Sequence, residues 1–379
     1  MIVAVTKIAI ISSSAGALVN FRGPLIAELN RRGFAVGAFA PDFTPALRTA
    51  VISAGAEPLD YRLERTGTSL RNDLASLWDL VGRLRAFAPD LALAHFMKPV
   101  IYGTIAAAIA RVPHRYAMIE GLGYAFTDTG ERSLKRLAIR KVMQAMLRGA
   151  LRQAHGVIFL NEDDRAELVS AGIAPAQRSG VLGGIGLPLA DFPYAPPVQG
   201  KPIFLMIGRL IREKGAYEFV EAARLLRASH PDVRFVLLGG VDPKPGSLSA
   251  VQVQAWADEG IIEWPGEVSD VRPWLRACTT FVLPSYREGL PRSTQEAMAT
   301  GRAIITTDVP GCRSTVIEGR NGHLVPVRDP RALAAAMAAL ARDPASAAAM
   351  GRESRRLAEE RFDVARVNAR LLEMIGIAG

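Results

Sequence analysis

The fold class is clearest in residues 203–229, which read IFLMIGRLIREKGAYEFVEAARLLRAS. Five apolar residues at 203–207 predict a buried strand, and the apolar spacing of 216–229 is that of a helix. A loop that contains Gly208 and Gly215 joins them. Short apolar runs alternate with helical segments in the same way along both halves of the chain, which predicts parallel sheets covered by helices on both faces. The predicted strands span 8–11, 35–40, 91–95, 115–119, 156–160, 203–207, 234–238, 261–264, 280–283 and 303–306. We therefore expect an α/β protein with two doubly wound units.

The boundary between the units is predicted from a stretch rich in glycine and proline. Residues 183–188 read GGIGLP and residues 193–200 read PYAPPVQG, without helical or strand periodicity. We predict a first domain over 1–188 and a second over 189–364. Residues 365–379 contain a last helix with too little sequence after it to belong to another sheet, so we expect that helix to cross back onto the first domain.

Composition limits the partners and the compartment. The chain has 379 residues and a net charge of +9, which favours anionic partners such as phosphorylated metabolites, nucleic acid or an acidic lipid surface. Its two cysteines, Cys278 and Cys312, exclude a disulfide framework and are typical of a reducing cytoplasm. The longest clean apolar run, 99–110, is too short to span a bilayer as a helix, so we expect a soluble or peripheral protein.

Two cations occupy the loop that follows the strand at 203–207. Arg209 and Lys214 would lie beyond the carboxyl end of that strand, where open α/β sheets bind ligands. The arginine fork matches phosphate oxygens, and the lysine supplies a point charge. Both residues could equally be solvated surface cations, and their spacing alone does not decide between the two interpretations.

Two carboxylates follow a later strand. Residues 288–296 read EGLPRSTQE, which places Glu288 on the turn before a helix and Glu296 about two turns along it. A carboxylate inside such a helix can accept both hydroxyls of a ribose, and the turn can hold sugar hydroxyls or phosphate oxygens. The alternative is a turn residue and a solvated helix residue. Together with the upstream cations, the pair favours a site for a sugar nucleotide.

These motifs resemble those of the retaining glycosyltransferases of family 4, which have the GT-B fold. The resemblance is strongest over 203–341 and rests on the Gly-Arg loop with its lysine, the paired glutamates, residues 322–325 (GHLV) and the helix entry Asp329-Pro330. It implies two doubly wound Rossmann-like domains facing a central cleft, of which the first binds the acceptor and the second the nucleotide sugar. The segment 184–188 departs from the family, in which a small or polar residue and an aspartate replace Ile185 and Pro188.

The resemblance also assigns roles to individual residues. In the family, the matching arginine and lysine bind the donor diphosphate, the second glutamate binds the ribose, and the first lies beside the donor sugar. Residues 264–268 (WPGEV) resemble the stretch whose backbone pairs with the base, and Gly16 lies in a turn that approaches the donor phosphate, although packing explains that glycine nearly as well. The implied donor-binding residues are Gly16, Arg209, Lys214, Gly266, Glu267, Val268, Glu288, Gly289, Leu290, Pro291 and Glu296.

In the first domain the resemblance concerns the ends of two strands. His95 ends the strand at 91–95, where family members carry a histidine that faces the donor sugar; a satisfied strand-end histidine is the alternative. Residues 120–124 (EGLGY) resemble members that build lipid-linked bacterial surface glycans, including N-acetylgalactosaminyltransferases acting on polyprenyl diphosphate sugars. The implied catalytic residues are Glu288, His95, Arg209 and Lys214. The acceptor-side candidates are Ser14, Asn20, Lys98, Glu120, Gly121 and Tyr124.

A basic segment between Arg132 and Arg152 bears on localisation. Seven arginines and lysines alternate there with apolar residues, and no acid interrupts them. Such a helix can lie on an anionic membrane, or it can be an ordinary helix with a solvated face. Because the implied acceptor is lipid-linked, we expect contact with the inner face of the cytoplasmic membrane, and, without a recognition motif, no nucleic acid partner.

The expected reaction moves a hexose or N-acetylhexosamine from a UDP-sugar to a polyprenyl-diphosphate-linked glycan with retention of configuration. No metal is expected, because no Asp-x-Asp motif follows a strand and the acids at 162–164 open a helix, where they cap well. Two alternatives stay open: a UDP-sugar 2-epimerase of the same architecture, and a non-catalytic module that binds a sugar nucleotide. Turnover without an acceptor would indicate the epimerase, and binding without turnover would indicate the module.

Overall fold

A computed structural model describes residues 5–64, 70–123, 126, 134–242 and 247–377. These residues form two compact units. The first comprises the described residues up to 186 together with those from 364 onward, and the second comprises residues 187–363.

The first unit is built on a seven-stranded parallel sheet. Its strands are β1 (Lys7–Ile11), β2 (Ala35–Ala40), β3 (Ala56–Asp60), β4 (Leu91–His95), β5 (His114–Ile119), β6 (Gly156–Phe159) and β7 (Ser179–Val181). Its helices are α1 (Ala15–Ala17), α2 (Gly23–Arg31), α3 (Pro45–Ser53), α4 (Leu70–Phe87), α5 (Thr104–Ile109), α6 (Leu134–Gln153) and α7 (Glu162–Ser170), with π-helical turns at Leu18–Arg22 and Pro99–Gly103. The strand order is β3-β2-β1-β4-β5-β6-β7.

The second unit repeats this plan with six strands. They are β8 (Ile203–Ile207), β9 (Arg234–Leu238), β10 (Glu263–Gly266), β11 (Thr280–Leu283), β12 (Ala303–Thr307) and β13 (Gly322–Val325), in the order β10-β9-β8-β11-β12-β13. The helices are α8 (Ala216–Arg227), α9 (Ala250–Asp258), α10 (Arg272–Ala277), α11 (Arg292–Thr300), α12 (Pro330–Arg342) and α13 (Pro344–Arg361). The following helix, α14 (Val364–Met374), belongs to the first unit.

Both sheets follow the doubly wound order, so each has a point where the order reverses. In the first unit this point lies between β1 and β4, and in the second between β8 and β11. Loops that leave the carboxyl ends of these neighbouring strands diverge to opposite faces and leave a crevice that ligands use. The prediction of two doubly wound α/β units is confirmed. The loops after β1, β4, β8 and β11 are therefore the places where a ligand site is expected.

The central strands are buried on both faces, which explains their continuous apolar runs. All residues of β4 are buried, as are all residues of β12. In the second unit Phe204 and Phe235 stack on neighbouring strands, with ring centroids 5.8 Å apart, and Phe219 of α8 meets Phe235 edge-on. This packing fixes β8 and therefore the loop that follows it.

Strands at the sheet edges escaped the sequence-based prediction. No strand was expected at Ala56–Asp60, Ser179–Val181 or Gly322–Val325, because these segments are short or carry polar residues and a proline, as edge strands do. The strand expected at 261–264 instead pairs from Glu263 to Gly266. Ile261 and Ile262 are buried by packing rather than by pairing, which is why their apolar character was misleading.

Candidate functional site

A lysine and a glutamate meet at the reversal point of the second sheet. Lys214 ends the turn after β8, and Glu288 lies in the loop after β11. Lys214 Nζ lies 2.5 Å from Glu288 Oε1, and Ser285 Oγ donates to the same oxygen at 2.7 Å. Both charged side chains are mostly buried but keep some exposure, 21% for Lys214 and 11% for Glu288. The structure thus joins two residues that the sequence placed in separate motifs.

Two glycines let the loops around this pair approach closely. Gly215 has φ +78°, and a Cβ there would lie 2.1 Å from the carbonyl oxygen of Pro284. Gly311, which follows β12, has φ +77°, and a Cβ there would lie 2.2 Å from the carbonyl oxygen of Glu288. Since any larger residue would collide with backbone in a conformation that side chains disfavour, these positions require glycine. The position of Glu288 is therefore set by contacts between backbones.

Glu296 lies on α11 beside Arg292. Arg292 Nε contacts Glu296 Oε1 at 2.9 Å, and the glutamate side chain is 13% exposed. Burial raises the pKa of Glu296 above its ordinary value, and the attraction of Arg292 offsets this only in part. The carboxylate thus carries an electrostatic cost of burial, which hydrogen bonds donated by the hydroxyls of a ligand would relieve.

Arg209 lies at the start of the same loop as Lys214 but reaches a different partner. Its Nη1 lies 3.2 Å from Asp242 Oδ2, and the side chain is 58% exposed. A guanidinium carries five N–H donors in a planar fork, so one contact with a carboxylate leaves most of its donors available for phosphate oxygens.

The stretch predicted to contact the base lies at the end of β10. Gly266 has φ +81°, and its carbonyl accepts a hydrogen bond of 2.9 Å from the N–H of Gly239. Trp264 Nε1 donates to the carbonyl of Gly239 at 3.0 Å. Glu267 is exposed and its carboxylate lies against Gly240. These contacts hold the ends of β9 and β10 together at the carboxyl edge of the sheet, and Val268 follows, partly buried.

The turn between Glu288 and α11 is largely buried. Gly289, Leu290 and Pro291 are all buried, and Pro291 precedes the first residue of the helix. The backbone of this turn also supports the helix, because the N–H of Gln295 bonds the carbonyl of Pro291 at 3.3 Å. The structure therefore gathers Lys214, Glu288 and this turn into one region.

In the first unit three buried polar residues converge at the reversal point. His95 ends β4, Glu120 directly follows β5, and Arg22 ends the π-helical turn after β1. Arg22 Nη2 contacts Glu120 Oε1 and lies 2.9 Å from Met118 Sδ. His95 Nδ1 lies 3.1 Å from the same glutamate oxygen. The side chain of His95 is wholly buried and that of Glu120 is 7% exposed, so both lie inside the protein.

Charge within this cluster is fixed by burial and by the arginine. Burial lowers the pKa of His95, and the opposing attraction of Glu120 does not overcome it. Burial alone would raise the pKa of Glu120, but the charges of Arg22 and His95 lower it below its ordinary value. The cluster therefore consists of a neutral imidazole beside an ionised Arg–Glu pair at neutral pH.

The other acceptor-side candidates are engaged in contacts within the first unit. Ser14 Oγ donates to Asp42 Oδ2 at 3.2 Å, and the N–H of Ala15 donates to Asp42 Oδ1 at 2.6 Å. Gly16, one residue further, is partly buried. The carboxylate of Asp42 already occupies the N–H of Ala15 and would repel a phosphate at this turn. The predicted role of Gly16 in approaching the donor phosphate therefore stays a prediction.

Lys98 joins the loop after β4 to α4. Its Nζ lies 2.9 Å from Asp73 Oδ1, and Tyr102 donates to Asp73 Oδ2 at 2.8 Å. Burial, together with this hydrogen bond, raises the pKa of Tyr102. Asn20 is exposed and Gly121 has φ +116°. Tyr124 lies outside the described residues.

Sequence reasoning missed the partners that hold these residues in place. Arg22, Asp42, Asp73 and Asp242 each contact a predicted residue through a separation of tens of residues. No motif spacing connects such pairs. The one available signal was the occurrence of a charged residue, Arg22, in residues 17–26, where Asn20 is the only other polar side chain.

Two arginines of the basic helix α6 contact α7 and the residues that follow it. Arg140 contacts Glu167 at 3.4 Å, and Arg148 donates to the carbonyls of Ala171 and Gly172. Three apolar side chains near its start are nevertheless exposed, namely Leu137, Ile139 and Val142. In the part of the chain that the structure describes, no helix is both long enough and apolar enough to cross a membrane.

Among the described residues no cluster of three or more histidine, cysteine, aspartate or glutamate side chains could hold a metal ion. The two cysteines are buried and unpaired with each other, and burial raises the pKa of both thiols to about 12. They are therefore protonated and unreactive at neutral pH.

Comparison with known families matches both units. Residues 201–343 match the family described as Glycosyl transferases group 1, and residues 18–182 match the family described as Glycosyl transferase 4-like domain. Residues 201–343 therefore belong to the group 1 glycosyltransferases, and residues 18–182 belong to the glycosyltransferase 4-like domains. The range in the second unit contains both strands of its reversal point, β8 and β11, and the range in the first unit contains β4 but begins after β1. The predicted resemblance to this family is confirmed.

Two relatives have names that describe transfer to lipid-linked sugars. One is the N,N'-diacetylbacillosaminyl-diphospho-undecaprenol alpha-1,3-N-acetylgalactosaminyltransferase of Campylobacter jejuni. It is 29% identical to this chain, over 83% of this chain and 84% of its own length. The UDP-Gal:alpha-D-GlcNAc-diphosphoundecaprenol alpha-1,3-galactosyltransferase of Escherichia coli is 26% identical, over 69% of this chain and 68% of its own length.

Solved structures show the same fold. Sucrose-phosphate synthase from Thermosynechococcus elongatus superposes with a TM-score of 0.78 at 19% identity, over 97% of this chain and 98% of that one. Anabaena HepE in complex with UDP superposes with a TM-score of 0.76 at 20% identity, over 98% of this chain and 100% of that one. These are GT-B proteins, so the predicted GT-B fold is confirmed.

Proposed function

We propose that this glycosyltransferase moves a hexosyl or N-acetylhexosaminyl group from a UDP-sugar to a polyprenyl-diphosphate-linked glycan during synthesis of a bacterial surface glycan. We further propose that it retains the anomeric configuration and needs no metal. The observation that carries the proposal is the Lys214–Glu288 contact at the reversal point of the second sheet, with Arg209 on the same loop.

Lys214 and Arg209 are suited to a departing diphosphate. The ammonium group of Lys214 has three N–H donors, of which one donates to Glu288. The other two can donate to phosphate oxygens. The more exposed Arg209 adds a second positive charge on the same loop. Two cations held on a rigid loop can neutralise the charge that develops on the leaving phosphate, which is the role a metal plays in other enzymes.

Glu288 and Glu296 divide the rest of the donor between them. Ser285 and Lys214 orient the Glu288 carboxylate, which would lie beside the donor sugar. Glu296 would accept the ribose hydroxyls, which offset the cost of its burial. We propose no covalent nucleophile. The acceptor hydroxyl would attack the anomeric carbon from the face that the diphosphate leaves, while the bond from that carbon to the diphosphate breaks and the hydroxyl proton passes to the departing phosphate oxygen.

The names of the relatives support the acceptor and the stereochemistry. Both the Campylobacter jejuni and the Escherichia coli enzymes act on diphospho-undecaprenol-linked sugars and form alpha-1,3 linkages. The latter uses UDP-Gal. Because UDP-galactose itself carries an α-linked sugar, an α product preserves the configuration. We propose the same outcome here, with the donor sugar chosen among hexoses and N-acetylhexosamines.

The acceptor chemistry also suggests a peripheral membrane location. The exposed side chains of Leu137, Ile139 and Val142 on α6 lie near the exposed Lys141, a combination that suits an interface with anionic lipid. Flotation with vesicles containing anionic lipid tests this location. Binding that is lost in Leu137→Ser/Val142→Ser but kept in Val251→Ser, at a still more exposed valine on α9 of the second unit, would support it.

A donor screen tests the central proposal. Thermal unfolding is measured with UDP, GDP, UDP-GalNAc, UDP-GlcNAc, UDP-Gal and UDP-Glc, each with and without EDTA. A ligand at 100 times its dissociation constant should add about 2.7 kcal/mol of stability. A UDP-specific shift that EDTA leaves unchanged is expected. No shift with any nucleotide, or a shift that requires metal, would contradict the donor site.

Transfer is then measured with the best donor and a polyprenyl-diphosphate-linked acceptor, and the anomeric configuration of the product is read by NMR. An inverted product would overturn retention alone. Release of a free epimer without acceptor would identify a 2-epimerase instead, and binding without any turnover would indicate a non-catalytic module.

A further inference from the structure

The buried cluster of the first unit has features that a purely structural ion pair would not need. Arg22, His95 and Glu120 come from three elements that meet at the reversal point between β1 and β4. Neither ring nitrogen of His95 has a hydrogen-bond partner of good geometry among the described residues, although Nδ1 lies 3.1 Å from Glu120 Oε1. Arg22 Nε is likewise buried without a partner there.

Buried polar atoms without hydrogen-bond partners lower the stability of the folded protein. A buried polar group without a hydrogen bond costs free energy, and replacing a buried ion pair by apolar residues is often neutral or stabilising. The sequence keeps three polar side chains at this place although the surrounding core is apolar. This pattern is expected where a site holds a polar group ready for a ligand, at some cost in stability.

The orientation of the ring is fixed from two sides. Glu120 Oε1 lies beside Nδ1, and the ring of Phe96 lies against the imidazole, with centroids 4.7 Å apart and the two planes inclined by 42°. Phe96 itself has φ +69°, a conformation that is strained for a bulky residue. Strain of this kind persists where the surrounding structure holds it, and it is concentrated at functional sites.

Electrostatics then selects the tautomer. A carboxylate next to Nδ1 favours the form in which that nitrogen carries the proton, and Arg22 keeps the carboxylate ionised by contacting the same oxygen. Nε2, at the far side of the ring, is then a hydrogen-bond acceptor. An acceptor nitrogen can take a hydrogen bond from a hydroxyl, the group in which sugars are richest.

We propose that Arg22 and Glu120 are positioning residues, which hold His95 with its proton on Nδ1 so that Nε2 accepts a hydrogen bond from a substrate hydroxyl. This inference rests on the proposed glycosyl transfer for its functional meaning. It gives Glu120 a different role from the acceptor contact that the sequence suggested, because its carboxylate would act through His95 rather than on the acceptor.

The tautomer can be measured without any activity. The chain has five histidines, so ring ¹⁵N–¹H correlation spectra of the full-length protein are simple, and His95→Gln identifies the His95 signals by their loss. We expect the wild-type protein to show a protonated Nδ1 and an unprotonated Nε2 at pH 7.5. A protonated Nε2 in the wild-type protein would overturn the proposal at once, whatever the protein transfers.

Variants then test the cause. Glu120→Gln, which keeps the shape but removes the charge, should shift the His95 signals toward a mixture of tautomers. Asp90→Asn is the matched control: Asp90 directly precedes β4, at the opposite end of the strand from His95, and accepts from the N–H groups of Thr6 and Lys7. It should leave the His95 signals unchanged. Unchanged signals in Glu120→Gln would contradict the proposed cause.

Kinetics separates positioning from general damage to the fold. Misplacing a positioned group can cost roughly 100-fold in rate. Glu120→Gln should therefore lower kcat by up to about this factor with little change in KM for the donor, and Glu120→Asp should recover part of the loss. The double variant His95→Gln/Glu120→Gln should be no slower than His95→Gln alone. Losses that multiply would show that Glu120 acts independently of His95. If no nucleotide binds in the donor screen, the proposed function fails, whereas the spectra still decide the tautomer of His95.

Discussion

The two units share one strand order, yet they keep their charged residues in opposite ways at the reversal point. In the first unit Arg22 and Glu120, whose side chains are 2% and 7% exposed, form a buried ion pair beside His95. In the second unit Lys214, Glu288 and Arg209 keep some access to solvent. A buried ion pair acts on a ligand through the residue it positions, here His95, whereas an accessible charge can exchange its partner for a ligand. The same strand order therefore places a buried pair of positioning residues at the reversal point of the first unit and a charged binding surface at that of the second.

The loops are also held differently. The first unit ties the segments after β1, β4 and β5 together through side chains, by the contacts of Glu120 with Arg22 and His95. The second unit uses backbone against backbone, at Gly215 and Gly311. Because these backbone contacts help to hold the loops, the contact between Lys214 and Glu288 is not the sole link between them, and both side chains can turn to a ligand.

The largest effect is expected from Lys214→Ala. If the accessible charges of the second unit contact the leaving diphosphate, removing this one should lower kcat by roughly 100- to 1,000-fold, as loss of a preorganised charge-stabilising group does. The measurement is initial-rate transfer at saturating donor. Lys201→Ala is the matched control, because Lys201 is an exposed lysine of the same unit that pairs with Asp232 on the surface. Near wild-type kcat in Lys214→Ala would remove the phosphate role.

A second prediction concerns the backbone contacts. Gly311→Ala would place a Cβ against the carbonyl of Glu288 in a strained conformation, so we expect a loss of more than about 2 kcal/mol in the free energy of unfolding. Gly260→Ala is the control: Gly260 also has a positive φ, +71°, but a Cβ there would meet no atom within 4 Å, so strain alone should cost about 1 kcal/mol. Equal losses in urea unfolding would show that close approach at Gly311 is unimportant.

A third prediction separates binding from stability. Glu296→Gln should weaken UDP binding by roughly 10-fold, since hydrogen bonds to charged groups contribute about 1.5–3 kcal/mol. It should not lower the stability of the unliganded protein at neutral pH, because burial raises the pKa of Glu296 and the ionised form is therefore held at a cost. Calorimetric titration and thermal unfolding give the two numbers. Glu359→Gln, which breaks another i,i+4 contact with an arginine, should change neither UDP binding nor the donor shift.

The central strands and the donor loops could be predicted from sequence because their signals are local. The strands at 35–40, 91–95, 203–207, 234–238 and 280–283 are continuous apolar runs, and their predicted bounds agree with the structure. Edge strands lack such runs, since one side is not covered by a neighbour, and β3, β7 and β13 were missed for that reason. Order along a sheet follows from the doubly wound pattern, so the positions of Lys214 and Glu288 on neighbouring loops could be anticipated.

The partners of the site residues could not be predicted in the same way. The contact of Arg22 with Glu120 spans 98 residues, and that of Lys214 with Glu288 spans 74. Such pairs depend on how helices and strands pack in three dimensions, which periodicity does not encode. For this reason Glu120 was expected on the acceptor side, and only the structure reveals its buried contacts with Arg22 and His95.

The smallest effect, a difference in pH dependence, compares the two units directly. Burial lowers the pKa of His95 below its ordinary 6.5, so the unfolded chain takes up a proton first and stability is lost as the pH falls from about 6.5 through the lower folded pKa. For Glu296 the pKa is raised above 4.5, so stability is instead lost as the pH rises through that raised value. His95→Gln should therefore lose less Tm than the wild-type protein between pH 7.5 and 5.5, while Glu296→Gln should keep the wild-type slope over the upper part of that range. Differential scanning calorimetry at closely spaced pH values measures both slopes. If Tm depends on pH in His95→Gln as it does in the wild-type protein, the buried imidazole does not stay neutral. The proposed difference between the buried cluster of the first unit and the accessible charges of the second would then be wrong for His95.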